Sequence, residues 1–94
     1  KALRKLVDYV KSKISPVIVV LSTVENEKIN LIVGVSKDLS KKYKASSIVY
    51  EIAPKIGGKG GGRDDLAQAG GTNIKGLSEI MENFEIILKK LYWS

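Results

Sequence analysis

Residues 57–71 read Gly57-Gly58-Lys59-Gly60-Gly61-Gly62-Arg63-Asp64-Asp65-Leu66-Ala67-Gln68-Ala69-Gly70-Gly71. Five of the chain's nine glycines lie between Gly57 and Gly62. Glycine loses more backbone freedom on folding than any other residue, so such a run is costly to order. One use that offsets the cost is a row of unobstructed backbone N–H groups holding an anion beside Lys59 and Arg63. Another is a surface without Cβ atoms, against which a bulky ligand can lie. The bland alternative is a loop that merely joins two elements. The next stretch, Leu66 to Gly71, predicts a short strand leading into a turn, its small side chains expecting the close approach of a neighbour.

Working outward, Ile48, Val49, Ile52, Ala53 and Ile56 recur at helical spacing just upstream, with Ser46 or Ser47 as a candidate cap and Pro54 expected to kink the last turn. Residues 36–44 are polar and basic and read as a surface connection anchored by Leu39 and Tyr43. Before them come two β-branched runs, Pro16 to Ser22 and Ile29 to Val35. Their continuous apolar character predicts strands that are central or covered on both faces, and the polar link around Asn26 predicts antiparallel neighbours. Residues 1–14 predict an amphipathic helix with the stripe Leu3, Leu6, Val7, Val10 and Ile14, ended by Ser15-Pro16. Downstream, Leu77, Ile80, Met81, Phe84, Leu88 and Leu91 mark a last helix, with Thr72 or Asn73 as cap. The fold expected is α+β: a small mixed or antiparallel sheet of about three strands packed with helices. The order is helix, strand, strand, helix, glycine loop, strand, helix, in a single domain over 1–94.

A chain of 94 residues holds one modest core. It has no cysteine and no histidine, which removes disulfides, thiolate nucleophiles, zinc sites and histidine acid–base catalysis together. No apolar run approaches the roughly 20 residues of a membrane span. The net charge is +6, and it is concentrated. Lys37, Lys41, Lys42, Lys44, Lys55, Lys59 and Arg63 face only Asp38 and Glu51 over that quarter of the chain. Clustered positive charge favours a polyanion, whose binding releases counterions; a solubilising surface is the other reading. The chain begins with Lys1, so it is expected to be a piece of a longer protein.

Named phosphate motifs fail. A P-loop needs a hydroxyl residue after Gly-Lys, and Lys59 is followed by Gly60. No frame through Gly57 to Gly62 gives the dinucleotide spacing. Asp64-Asp65 reads as a pair that pins the turn or meets Arg63, in preference to a magnesium or general-base site, because no other acid joins them. Among the aromatics, Tyr43 is the candidate for stacking on a base, Tyr50 belongs on a helix surface, and Tyr92 and Trp93 on terminal packing. No catalytic residue and no metal site is expected.

The fifteen residues Gly57 to Gly71 resemble the glycine-rich signature near the C-terminus of alanyl-tRNA synthetases. Val35-Ser36-Lys37-Asp38-Leu39 and the helix carrying Ala53-Pro54 extend the resemblance over Val35 to Gly71. The same fold follows the core of DHH phosphoesterases, where a histidine usually follows the glycines; Arg63 stands there in this chain. The resemblance implies the globular part of the synthetase's C-terminal domain, non-catalytic, binding tRNA (tRNA-Ala) at the outer corner of the L. It implies help in coupling aminoacylation with editing. The parent would be a cytoplasmic alanine–tRNA ligase using ATP, magnesium and zinc, with no cofactor in this domain. Partners would be tRNA and the parent's other domains, with a homodimer through the parent and no membrane. Carried over by position, Gly57, Gly58, Lys59, Gly60, Gly61, Gly62 and Arg63 are the binding candidates. Lys41, Lys42 and Lys44 join them on charge alone. Valine at Gly60 or Gly61 is expected to block RNA while sparing the fold. The alternatives are a docking or oligomerisation module of the same enzyme, or a phosphate-ligand accessory domain of a phosphoesterase.

Overall fold

The computed structural model describes residues 2–87. The elements are α1 (Ala2–Lys13), β1 (Ile18–Glu25), β2 (Lys28–Val35), α2 (Ala45–Ile52), a 3-10 turn (Ala53–Ile56), β3 (Lys59–Gly62), β4 (Leu66–Gly71) and α3 (Ile74–Glu82). They form one four-stranded sheet in the order β1-β2-β4-β3, antiparallel throughout. The fold class is the expected one. The fourth strand is the addition: Lys59–Gly62, read from sequence as a loop, pairs along β4 as an edge strand. Glycine is a weak strand former, so its conformation here comes from the partner strand and leaves no mark in its own residues.

The central strand β2 is covered on both faces, as its continuous apolar run predicts. Ile29, Leu31, Val33 and Val35 face a core shared with Ile48, Val49, Ile52 and Ile56 and with Leu77 and Ile80 of α3. Ile32, on the opposite face, meets Val7 of α1 together with Val19 and Leu66. Helix α1 therefore packs on one side of the sheet, and α2 and α3 on the other. The closest approach of α1 is over Gly34, where any Cβ would collide with the Val7 side chain. Only Val7 of the predicted stripe is fully buried, with Leu3 and Val10 packed partly around it. Leu6 is 52% exposed and Ile14 57%, because α1 meets a flat sheet along a narrow line that its flanks do not reach.

Other boundaries follow local chemistry. The hairpin β1–β2 turns on Asn26 and Glu27, both at positive φ. Helix α2 begins at Ala45, and neither Ser46 nor Ser47 caps it; Lys44 sits at the cap position without a side-chain capping bond. It ends at Ile52, where the chain tightens into the 3-10 turn with Pro54 in its first positions. Asn73 caps α3, its side chain accepting from the Gly76 N–H at 3.0 Å. Met81, predicted as core, is exposed, whereas Phe84 packs partly against the core. Leu88, Leu91, Tyr92 and Trp93 lie outside the described residues.

Candidate nucleic-acid interface

The turn after β3 is where the elements meet. Three consecutive carbonyls, those of Arg63, Asp64 and Asp65, accept from Ser46 N–H (3.1 Å), Ala45 N–H (2.8 Å) and Val35 N–H (2.9 Å). The first two bonds satisfy two of the four amides that have no partner inside the helix at the start of α2. The two carboxylates take up neighbouring cations. Asp64 lies 3.8 Å from Lys44, and Asp65 lies 3.7 Å from Arg63 and 4.0 Å from Lys11. The acidic pair thus pins the turn and meets Arg63, and among the described residues no metal-holding cluster forms.

Strand β3 is one of the two edges of the sheet, β1 being the other. Arg63 N–H donates to Leu66 O at 2.8 Å, so Arg63, Gly61 and Lys59 turn their backbone groups toward β4. Gly60 and Gly62 turn theirs to the open edge. The glycines also differ by face. A Cβ on Gly60 would strike Gln68 O, Val49 Cγ1 (2.6 Å) and Ala69 Cβ (2.7 Å), on the α2 side. A Cβ on Gly61 would meet nothing within 4 Å, on the α1 side. A Cβ on Gly58 would strike Gly70 O, and Gly57 adopts a left-handed conformation (φ 70°) that ends the 3-10 turn. Most of the glycines are thus required by packing, and Gly61 is the position that offers open surface. The expectation that valine at Gly60 spares the fold is corrected accordingly.

Lys59 and Arg63 are exposed and bracket β3, about 13 Å apart at the usual rise per residue. Lys44 joins Arg63 through the shared turn. Lys41 and Lys42 sit farther along the 36–44 connection, with the Lys42 ammonium 5.3 Å above the Tyr43 ring. Tyr43 itself is half-buried against the core, so its ring is an anchor more than an open stacking platform. Among the described residues, Tyr50 on the outer side of α2 and Tyr9 on α1 are the exposed aromatics. Two further residues border the glycine edge: Arg4 and Gln68 line, with Gly61, Gly62 and Arg63, a shallow hollow of about 320 Å³. Gln68 was visible in the sequence as the one long polar side chain in a strand of small ones. Arg4 carried no signal, because only tertiary packing brings α1 beside β4.

In the connection itself, Ser36 is buried and Asp38 exposed. Ser36 Oγ accepts from Val17 N–H at 3.0 Å and donates to Asp38 at 2.6 Å. That bond, with a second from Ser15, holds the Asp38 carboxyl below its ordinary value.

A glycine strand at a sheet edge thus lies between two exposed cations, Lys59 and Arg63, in a chain of net charge +6. The sequence model of the DHHA1 domain matches residues 1–90, and the chain belongs to that family. Alanine–tRNA ligase of Ruthia magnifica subsp. Calyptogena magnifica is 43% identical over 88 residues, covering 94% of this chain. Alanine–tRNA ligase of Vesicomyosocius okutanii subsp. Calyptogena okutanii is 48% identical over 84 residues, covering 85% of it. The chain spans 10% of the length of each of these curated relatives. The fold is also that of the C-Ala domain from Aquifex aeolicus alanyl-tRNA synthetase, with a TM-score of 0.84 at 35% identity, covering 92% of this chain and 78% of that one. The resemblance read from Gly57 to Gly71 thus holds over nearly the whole chain.

Proposed function

We propose that this chain is the non-catalytic, tRNA-binding C-terminal module of a cytoplasmic alanine–tRNA ligase, holding tRNA-Ala at its outer corner and helping the parent couple aminoacylation with editing. The observation that carries the reading is the β3 edge. It presents Gly61 without obstruction and the backbone groups of Gly60 and Gly62, between exposed Lys59 and Arg63. RNA is recognised largely by shape, stacking and backbone contact, which such an edge can supply. Ligation, ATP, magnesium and zinc belong, on this reading, to the rest of the parent. The test is a fluorescence-anisotropy titration of labelled tRNA-Ala at two salt concentrations, beside an RNA duplex of matched length. Preference for tRNA that is lost in Lys59→Ala/Arg63→Ala supports the reading. Equal and steeply salt-dependent binding to both RNAs overturns it, since counterion release alone then accounts for the affinity.

A second reading, docking or self-association within the parent, draws on α1. Leu6, Tyr9 and Ile14 leave apolar surface open there, with Tyr9 61% exposed. Sedimentation of the domain distinguishes the two: a concentration-dependent dimer abolished by Leu6→Lys would move the function to that surface.

A further inference from the structure

Lys11 lies on the inner flank of α1, far in sequence from the turn that follows the glycine strand and in contact with it in space. Its side chain is only 16% exposed, and its stem passes over Gly34. Its ammonium donates to Asp65 O at 3.1 Å and lies 4.0 Å from Asp65 Oδ2. The other carboxylate oxygen of Asp65, Oδ1, is 3.7 Å from Arg63 Nε, and the Arg63 side chain is 70% exposed. One carboxylate therefore sits between an inner cation and an outer one. Alone beside Arg63, Asp65 would cancel its charge and draw the guanidinium back onto the turn, in competition with any phosphate. With Lys11 behind it, the trio keeps one net positive charge, carried by the member that faces solvent. We infer that Lys11 is a positioning residue for Arg63: it neutralises Asp65 from the core side and so leaves the Arg63 guanidinium available to an RNA phosphate. This rests on the RNA-binding reading above.

The experiment is a mutant cycle read by tRNA anisotropy at low salt, with a thermal melt of each variant. Lys11→Met is expected to weaken tRNA binding about threefold, the scale of a partly exposed ion pair. Lys11→Arg is expected to bind as the wild type does. In an Asp65→Asn background, and equally in Arg63→Ala, Lys11→Met is expected to have no further effect, because the charge it offsets or the group it serves is gone. A purely structural role, or a direct phosphate contact by Lys11, would give the same threefold loss in every background and would overturn the inference. Should Lys11→Met alone unfold, Lys11→Met/Asp65→Asn carries the same decision by its match or mismatch to Asp65→Asn. Wild-type chain that does not prefer tRNA to duplex defeats the RNA reading itself. Preference for tRNA with additive losses defeats only the role of Lys11.

Discussion

Valine placed at Gly60 and valine placed at Gly61 should give opposite results, although the residues are adjacent and chemically identical. At Gly60 the new side chain points toward α2, into Val49 Cγ1 at 2.6 Å and Ala69 Cβ at 2.7 Å, and against the Gln68 carbonyl. None of these can retreat cheaply: Val49 is fully buried, and the carbonyl belongs to the paired strand. Overpacking of this kind costs about 1–3 kcal/mol, and the backbone clash places Gly60→Val toward the upper end. For a domain of this size that is a fall of about 10 °C or more in Tm. At Gly61 the side chain enters open space, and exchanging glycine for a β-branched residue on a strand favours folding by up to about 1 kcal/mol. Gly61→Val should therefore melt at or slightly above the wild type, yet bind tRNA more weakly because it fills the surface at the β3 edge. Calorimetry of both variants with parallel anisotropy titrations checks this. Equal melting temperatures for the pair would refute the assignment of their faces. A well-folded Gly61→Val with unchanged tRNA affinity would refute the placement of the RNA there.

Three further outcomes are expected. Asn73→Ala should cost about 1 kcal/mol in urea unfolding, because it removes the bond to the Gly76 N–H at the start of α3. Glu27→Gly should stabilise the domain by about 0.5–1 kcal/mol, since Glu27 holds a φ of 64° in a two-residue hairpin turn where glycine is at ease. Ser36→Ala should cost about 1–3 kcal/mol by leaving the Val17 N–H without its partner. It should also change the acid limb of stability. The folded Asp38 carboxyl titrates below its unfolded value, so its contribution is present above that value and is lost as pH falls through the folded one. Without Ser36, whose bond is the main cause of the lowering, melting temperatures below about pH 4 should depend less steeply on pH.

The long apolar periods were legible because burial on both faces writes itself into consecutive residues. Val33 and Val35 against the main core, and Ile32 against α1, are what a continuous β-branched run predicts. The helix face from Ile48 to Ile56 is buried residue for residue. What escaped were features whose cause lies elsewhere in the chain. Lys59–Gly62 looks like a loop by composition, and only the register against β4 makes it a strand. The two candidate serines at the head of α2 are by-passed because the helix already starts at Ala45, its first two amides donating to the backbone carbonyls of Asp64 and Arg63. Leu6 and Ile14 fit a helical stripe but overshoot the width of sheet available. At the candidate site, Lys59 and Arg63 could be named from the signature, whereas Arg4 and Lys11 could not, since nothing local marks their approach to residues some fifty positions away.

The carbonyls of residues 63–65 also bear on the order of assembly. Helix α2 is eight residues long, too short to persist in water by itself, and its first amides are served by a segment synthesised some eighteen residues later. The helix cannot acquire its capped start until the β3–β4 hairpin has closed and docked. The amide protons of Val35, Ala45 and Ser46 should then report one common opening free energy in hydrogen exchange, that of opening the turn as a single cooperative unit. A nascent chain ending before Leu66 would hold the glycine segment and both flanking cations, but not yet the helix that lies behind them.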